Sequence, residues 1–362
     1  MWKQVNEKFY VSDIHGIDWE GYREAYRKFL PHIDNNFDFQ EMLSELLGEL
    51  NGSHTGARYQ YRAGLNTGAL GVLYDNAYEG DGLKIKEILK GGTLYIADPE
   101  IKAGDMITAI NGVEIKAGDN WYDLLRMQAG KRIQLTVKKG RKTEDLHITP
   151  EFTDQTRMYD RWVRQREEMV RKLSEGRVGY VHVQGMDSES FRRVYSDLLG
   201  KYRTCEAVIV DTRHNGGGWL HDDLATLLDG EGYIRFEPRG QYIGTEPYNK
   251  WTKPSCVLIG EDNYSDACGF PYVYKTLGIG KLIGAPVPGT MTAVWWENQI
   301  DQTIVFGIPQ VGAMAVKEGR YLENMQIEPD ILIYNDPASV LRGEDKQLEA
   351  AVAEMLKTIE NK

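Results

Sequence analysis

Residues 255–278 read SCVLIGEDNYSDACGFPYVYKTLG, an apolar run that enters a short polar loop and then a helix-like segment. A short apolar run that ends at glycine is typical of a buried strand, so the stretch predicts a strand, a turn and a helix. Ser265 and Asp266 fall at the turn, where the serine begins the helix. A serine there is an ordinary helix cap, but the positive end of a helix dipole also suits a nucleophile. This stretch alone leaves both interpretations open.

The same pattern continues on both sides of this stretch. Apolar, β-rich runs alternate there with helix-like segments, in the order RVGYVHVQG (177–185), SESFRRVYSDLLGKY (188–202), CEAVIVDTR (205–213), WLHDDLATLLDG (219–230) and KLIGAP (281–286). Such alternation predicts an α/β layered domain that contains parallel strands. Functional residues in such a domain lie in loops beyond the carboxyl ends of the strands. The turn at Ser265 is one of two such loops that carry suitable residues.

The other loop lies in VIVDTRHNGGGW, residues 208–219, where an apolar strand leads into three glycines ahead of a helix. Gly216, Gly217 and Gly218 let the backbone approach a ligand and point N–H groups outward, as an oxyanion hole requires. A phosphate-binding loop is the rival interpretation, but no Gly-Lys-Ser/Thr or Gly-x-Gly-x-x-Gly pattern follows. A glycine-rich anion site and a serine at a helix start, on successive strands, together favour acyl transfer.

Residues 1 to about 56 have the spacing of helices. DWEGYREAYRKFL and DFQEMLSELLGEL each combine a helical period with a predicted amino-terminal cap, at Asp18 and Asp38 respectively. The second helix ends near two glycines and delivers Ser53 and His54 into a loop. The sequence leaves His54 either as a polar loop residue or as a functional histidine.

Residues 60 to 150 change to short strands and turns with glycine punctuation. In AGDMITAINGVEI (103–115) the pair Asn111-Gly112 lies between apolar runs, which is a strong hairpin signal. NWYDLLRMQ (120–128) has helical spacing. This block resembles a PDZ domain of the bacterial protease type. The resemblance implies that a Gly-Ala-Leu-Gly loop binds a peptide carboxylate while the peptide adds to a sheet edge; a spacer or lid is the alternative.

Composition limits the class of protein. The chain has 362 residues, of which 41% are apolar and 27% charged, and its formal net charge is −11 without long runs of one sign. We expect a globular protein of roughly two or three domains, with no nucleic-acid partner and no membrane span. MWKQVNEKFYVSD lacks the pattern of a signal peptide. Three separated cysteines and the lack of a His-Glu-x-x-His pattern suggest no disulfide, metal or other cofactor.

Taken together, the motifs are identified with tricorn-type peptidases, a group within the carboxyl-terminal processing serine proteases. Six pieces occur in the order of that family, namely FYVSDIHGIDWEGYREAY, NGSHTG, the PDZ-like block, DTRHNGGG, NYSDACGFPYVYKTLGIGKLIG and YLENMQIEPDI. The resemblance covers essentially the whole chain. Each motif is weak or moderate alone, but six in one order are unlike a coincidence.

The resemblance implies a catalytic tetrad and an oxyanion hole. The tetrad consists of a nucleophile, a general base, a bridging serine and an acid, which match Ser265, His54, Ser53 and Glu323 respectively. The oxyanion donors match the backbone N–H groups of Gly218 and Asp266. This chemistry suits the residue types, because a serine hydroxyl needs a base and a carboxylate steadies the imidazolium that forms.

Substrate contacts depart from the family pattern. Gly217 is expected to contact substrate from the glycine-rich loop. The position of the acid that selects basic side chains in tricorn-type enzymes falls near Phe236, with Glu237 beside it, so a preference for basic residues does not follow. The family's amino-terminal β-propellers have no counterpart in this sequence. We expect either a fragment or an enzyme that works without that gate.

The resemblance also implies the architecture and the partners. The predicted fold class is α/β, with a helical amino-terminal part of the protease core (1–58), a PDZ-like β domain (59–150) and a ClpP/crotonase-like α/β layered catalytic domain (151–362). The expected partner is a peptide or unfolded polypeptide substrate, and homo-oligomers are expected by family analogy only. We expect a cytoplasmic location, or a periplasmic one if a signal peptide has been removed.

Three alternatives stay open on the sequence. A Ser-Lys dyad would need a lysine in GAPVPGTM (284–291), which has none, while Lys281 precedes the strand. A catalytically silent, PDZ-containing peptide-binding protein would lack a tetrad member, and none is missing. Acyl-CoA chemistry on a crotonase-like domain would leave the PDZ-like block and Ser265 unexplained.

Overall fold

The computed structural model describes residues 1–61 and 66–361. The chain divides into two compact units, one formed by Met1–Tyr61 together with Arg166–Lys362 and the other by Arg62–Gln165. The first unit therefore contains both ends of the chain, and the second is inserted into it.

The amino-terminal part of the first unit is mainly helical. Its elements are α1 (Trp2–Lys8), a 3₁₀ turn (Ile14–Gly16), α2 (Trp19–Arg27), a 3₁₀ turn (Leu30–His32), α3 (Asn36–Gly48) and β1 (Gly56–Tyr59). The predicted Asp18 cap is confirmed, since its carboxylate accepts from the Gly21 N–H at 2.9 Å. The predicted Asp38 cap is wrong, because the cap of α3 lies three residues earlier, at Asn35, which is in extended backbone and accepts from the Asp38 N–H.

The second unit is an antiparallel sheet with a small apolar core. Its elements are β2 (Val72–Tyr74), β3 (Leu83–Ile88), α4 (Thr93–Ala97), β4 (Met106–Ile110), β5 (Val113–Glu114), a 3₁₀ turn (Trp121–Leu125), β6 (Ile133–Lys139) and β7 (Lys142–Ile148). The strand order is β2-β3-β4-β6-β7, with β5 paired to β4. The predicted hairpin is confirmed, because Asn111 and Gly112 both have positive φ between β4 and β5. The predicted helix at 120–128 is only the 3₁₀ turn.

Strands and helices alternate through the rest of the first unit, beyond α5 (Gln155–Leu173), which contains the boundary between the units. In chain order they are β8 (Val178–His182), α6 (Ser188–Ser196), a π-helical turn (Asp197–Lys201), β9 (Ala207–Asp211), α7 (His221–Leu228), β10 (Ile234–Phe236), a 3₁₀ turn (Pro238–Gly240), β11 (Gly244–Glu246), β12 (Ser255–Ile259), α8 (Asp266–Thr276), β13 (Lys281–Gly284), β14 (Thr292–Asn298), β15 (Ile304–Gly312), β16 (Met314–Ala315), β17 (Arg320–Tyr321), β18 (Ile331–Leu332), α9 (Pro337–Leu341) and α10 (Lys346–Glu360).

A parallel sheet forms the centre of this unit. Its strand order is β18-β13-β12-β9-β8, and each neighbouring pair is parallel. Every residue of β8, β9 and β12 is buried, as expected for strands covered on both faces. The predicted α/β class is therefore confirmed. The turns after β9 and β12 lie at the same edge of the sheet, because the carboxyl ends of parallel strands point one way.

A second, antiparallel sheet joins the amino-terminal helices to the α/β part. Its order is β1-β15-β14, with Gly56 opposite Gly307 and Tyr59 opposite Ile304. Apolar residues of β15 and of α1 and α3 share one buried cluster. This pairing fixes the loop ahead of β1, which carries Ser53 and His54, beside the start of β14. Within the described residues, no helix is both long enough and apolar enough to cross a membrane.

Candidate active site

Ser265 is the last residue of the turn between β12 and α8, residues 260–265. Its backbone has φ +56° and ψ −127°, a strained conformation for a residue other than glycine. The Ser265 N–H donates to the Thr290 hydroxyl at 2.8 Å. Within the described chain, the Ser265 side chain makes no capping hydrogen bond to α8. The ordinary cap interpretation is therefore wrong, and helix capping does not explain the strained backbone of Ser265.

The glycine loop, residues 212–220 between β9 and α7, packs directly against Ser265. Gly217 and Gly218 have φ +101° and +141°. A Cβ on Gly217 would lie 2.5 Å from the Ser265 Cβ, and one on Gly218 would lie 2.1 Å from the Met186 carbonyl oxygen. Both positions therefore require glycine, for close approach as well as for backbone conformation. The Met186 backbone holds the loop by accepting from Trp219 N–H at 2.7 Å and donating to the Gly217 carbonyl at 2.9 Å.

Two backbone N–H groups near Ser265, those of Gly218 and Asp266, have no acceptor among the described residues. Gly218 and Asp266 line the same cavity as Ser265. Asp266 is the first residue of α8, so its N–H also lies at the positive end of the helix dipole.

His54 is held in place from three sides. Its backbone has φ +62°, and its N–H donates to the Tyr264 phenol oxygen at 2.6 Å. The two rings are 4.7 Å apart between centroids. Its Nδ1 lies 2.8 Å from the Ser53 hydroxyl oxygen and 3.0 Å from the Thr292 hydroxyl oxygen. Burial lowers the pKa of His54 to about 4, so the imidazole is neutral near pH 7.

Glu323 accepts two hydrogen bonds from Ser53. The Ser53 hydroxyl donates to Oε2 at 3.0 Å and the Ser53 N–H donates to Oε1 at 2.5 Å, across 270 positions of sequence. The Glu323 side chain is buried, and this burial raises the pKa of its carboxyl group, against the hydrogen bonds from Ser53. Thr292 is buried too and lies 3.1 Å from the Ser53 hydroxyl oxygen. A chain of hydrogen bonds thus runs from a carboxylate to an imidazole.

Several of these residues line one cavity of about 320 Å³. Its polar wall includes His54, Gly218, Ser265 and Asp266, and the rest of its lining consists of Trp219, Met291, Thr292, Ala293, Val294, Val311 and Ala313. Among the hydrogen bonds of the described residues, none joins the His54 ring to the Ser265 hydroxyl. Such contacts are often long before substrate binds.

Two expected substrate-contact residues lie elsewhere. Phe236 ends β10, and its ring stacks on Tyr248 with centroids 6.3 Å apart. Glu237 follows it and forms an ion pair with Arg235 at 2.5 Å. Neither residue lines the cavity at Ser265. Gly217 is not part of the cavity lining either, but it lies close to Ser265, since a Cβ on Gly217 would be 2.5 Å from the Ser265 Cβ.

Sequence reasoning missed three residues at this site. Thr292 begins a strand, Tyr264 precedes Ser265 and Trp219 follows the glycines, and all three read as ordinary structural residues in the sequence. Only the position of Tyr264 beside Ser265 offered a signal. The histidine and two aspartates at 221–223 form the start of α7, and within the described ranges no cluster of possible ligands is arranged to hold a metal ion.

Three family models match consecutive parts of the chain. The tricorn protease C1 domain matches residues 1–48, the tricorn protease PDZ domain matches 68–150 and peptidase family S41 matches 177–333. Tricorn protease homolog 1 of Streptomyces coelicolor is 27% identical over 371 residues, which are 98% of this chain and 34% of the relative. Tricorn protease of Thermoplasma acidophilum is 25% identical over 375 residues, 99% of this chain and 34% of the relative.

Solved structures show the same fold. A crystal structure of the tricorn protease superimposes with a TM-score of 0.90 at 23% identity, covering 99% of this chain and 36% of the other. Mature CPAF superimposes with a TM-score of 0.55 at 14% identity, covering 99% and 96%. The chain spans less than half the length of the curated tricorn relatives it matches. From the order and identity of the matched domains, the chain is similar over nearly its whole length to tricorn-type members of peptidase family S41.

Proposed function

We propose that the chain is a serine peptidase that hydrolyses peptide bonds of polypeptides or oligopeptides through an acyl-enzyme on Ser265. One observation carries the proposal. Ser265, in a strained turn, and His54, anchored through Ser53 to Glu323, line one cavity. A nucleophile, a base and an orienting acid around one cavity are the parts that acyl transfer needs.

We place the single proton of the neutral His54 imidazole on Nδ1. The Ser53 hydroxyl donates its hydrogen to Glu323, so its oxygen accepts from the Nδ1–H of His54. Nε2 is then unprotonated and takes the proton from Ser265 as the hydroxyl oxygen attacks the carbonyl carbon. His54 next donates that proton to the leaving amine. A water molecule, deprotonated by His54, releases the acyl group and restores the Ser265 hydroxyl.

The tetrahedral intermediate carries a negative oxygen that needs donors. We assign them to the backbone N–H groups of Gly218 and Asp266, two residues that line the cavity and whose N–H groups have no protein acceptor among the described residues. Such preorganised donors stabilise charge as it develops and need no reorganisation during the reaction. The dipole of α8 adds to their effect.

The Ser-Lys alternative is disfavoured by the surroundings of Lys281. Its ammonium group pairs with Glu354 at 2.6 Å, and this hydrogen bond raises the pKa of the lysine. A general base needs a lowered pKa instead.

We retain the division into a helical part (1–58), a PDZ-like domain (59–150) and a catalytic domain (151–362). In this proposal the PDZ-like domain docks substrate peptides.

Labelling with a fluorophosphonate tests this function. We expect a single adduct on Ser265, mapped by peptide mass spectrometry, together with loss of peptide hydrolysis. Ser265→Ala should form no adduct. An unlabelled wild-type chain that binds peptides without cleaving them would instead identify a catalytically silent binding protein.

The pH dependence of kcat/KM is expected to extend far into the acid range. Activity requires neutral His54, whose pKa is lowered by burial from 6.5 to about 4. A base with a lowered pKa stays neutral as the pH falls below 6.5 and is protonated only near its own pKa. The acid limb should therefore have its midpoint well below pH 6.5. Measurement on a neutral peptide, with circular dichroism to exclude unfolding, would contradict the assignment if the midpoint lay at pH 6.5 or above.

Glu323→Gln is expected to lower kcat by about tenfold to ten-thousandfold, because the acid only orients and polarises His54. Ser53→Ala should be comparable or milder, since Thr292 offers a second acceptor to Nδ1 at 3.0 Å. Ser53 stands between the acid and the imidazole, so the double variant should be little worse than the more harmful single one. Glu328→Gln, an exposed acid nearby, is the matched control. Strictly multiplicative losses, or an unaffected Glu323→Gln, would contradict the tetrad.

A further inference from the structure

A buried carboxylate links the two helices whose first residues flank the nucleophile. Asp266, at the start of α8, is 1% exposed. Its Oδ2 accepts from the N–H groups of Leu220 at 2.5 Å and His221 at 3.1 Å, and its Oδ1 is hydrogen bonded to Nδ1 of His221. All three donors lie at the start of α7. The carboxylate therefore caps α7 from a position 46 residues further along the chain.

A helix is usually capped by the residue directly before its own first turn. The residue at the cap position of α7 is Leu220, whose side chain cannot accept a hydrogen bond. The chain instead uses the residue that directly follows Ser265. Since α7 and α8 both begin here, the carboxylate also interacts with the positive ends of two helix dipoles.

This contact joins the two chain segments that carry the proposed oxyanion donors. One donor is the N–H of Asp266 itself, and the other belongs to Gly218, two residues before Leu220. The Met186 backbone holds the glycine loop on one side, and the Asp266 carboxylate holds it on the other. Without the carboxylate, the end of the loop that leads into α7 loses its anchor to α8.

The imidazole of His221 is the side chain that pairs with the Asp266 carboxylate. The hydrogen bond to Asp266 raises the pKa of His221, so the imidazolium form, which offsets the buried negative charge, is favoured. Its ring also meets that of Trp219 edge to face, with centroids 5.4 Å apart. Trp219 is 71% exposed and lines the cavity at Ser265. Loss of His221 would thus remove one hydrogen bond from the Asp266 carboxylate and the edge-to-face contact from the Trp219 ring.

We propose that His221, acting through the Asp266 carboxylate, is a positioning residue that holds the Gly218 and Asp266 N–H groups in register for the oxyanion. The inference rests on the proposed peptidase function. Its consequence is specific, because the donors matter for the tetrahedral oxyanion far more than for the planar substrate.

The test compares wild type with His221→Ala and His221→Asn. Three quantities are measured: kcat and KM on one peptide, the inhibition constant of a peptide aldehyde that forms a tetrahedral adduct with Ser265, and the Kd of the uncleaved peptide in a Ser265→Ala background. We expect His221→Ala to lower kcat by about tenfold to a thousandfold. The inhibition constant of the aldehyde should rise by a similar factor. KM and the Kd of the uncleaved peptide should stay near wild type. Asn should restore most of the loss, since its amide N–H replaces Nδ1–H.

His32→Ala is the matched control. His32 is an exposed histidine of the 3₁₀ turn Leu30–His32, outside the glycine loop and outside residues 260–265. Its kinetics should equal those of wild type. If His221→Ala does not fold, the comparison of His221→Asn with Asp266→Asn decides, and Asp266→Asn should be the more harmful of the two.

The outcomes separate this inference from the proposed function. Wild-type labelling at Ser265, combined with unchanged kcat and aldehyde affinity in the folded His221 variants, overturns only the inference. Equal losses of affinity for the aldehyde and for the uncleaved peptide also overturn the inference, because they indicate a general change of the pocket. A wild-type chain without adduct or hydrolysis overturns the proposed function and the inference with it.

Discussion

We expect Ser265→Ala to lower kcat for peptide hydrolysis by about a millionfold, the loss typical of removing a serine nucleophile. The free energy of unfolding should change by less than about 1 kcal/mol. The Ser265 side chain makes no capping hydrogen bond among the described residues, and alanine keeps the Cβ that its strained φ of +56° already accommodates. The substitution thus removes the nucleophile and little else.

The matched control for this variant is Ser188→Ala, which replaces an exposed serine at the start of α6. Turnover of one peptide is followed for both variants together with thermal unfolding. Substantial residual turnover in pure Ser265→Ala protein would remove Ser265 from the mechanism. Cys268 is the neighbouring nucleophile, but burial raises the pKa of its thiol, so it should not substitute.

His54→Ala is expected to lower kcat nearly as much as Ser265→Ala. Without a base the serine hydroxyl is not activated, so the two residues act as one unit. Adding Ser265→Ala to His54→Ala should therefore give little further loss. The Nδ1 atom of His54 is held by Ser53 and Thr292, and His54 lines the same cavity as Ser265.

The control for this variant is His147→Ala, an exposed histidine of β7 in the second unit. The measurement is kcat for both single variants and the double variant on one peptide. Losses that multiply, rather than saturate, would show that His54 and Ser265 act independently and would contradict the proposed mechanism.

Backbone strain at the site supports a functional interpretation. His54 and Ser265 both have positive φ, which costs on the order of 1–3 kcal/mol for each residue. The strained His54 backbone donates to the phenol of Tyr264, the residue before Ser265. The conformations of the proposed base and the proposed nucleophile are therefore coupled through the Tyr264 side chain.

The sequence determined the local features of the chain. Apolar runs of strand length, the Asn111-Gly112 turn and the glycines at 216–218 predicted the alternating α/β elements, the hairpin and a loop that closely approaches its neighbours. These signals are local because periodicity and turn chemistry depend on residues within a few positions of each other. They placed Ser265 and the glycine loop on successive parallel strands. The cap at Asp38 failed because Asn35 begins the helix earlier.

Only the tertiary structure decided which side chains meet. Pairing of β1 with β15, and of β15 with β14, brings His54 to Thr292, and the loop after β17 brings Glu323 to Ser53. The same holds for His221 and Asp266, and for Phe236 and Glu237, which the fold places outside the cavity. Contacts across 270 positions of sequence leave no local pattern, because they arise from strand register and burial in three dimensions.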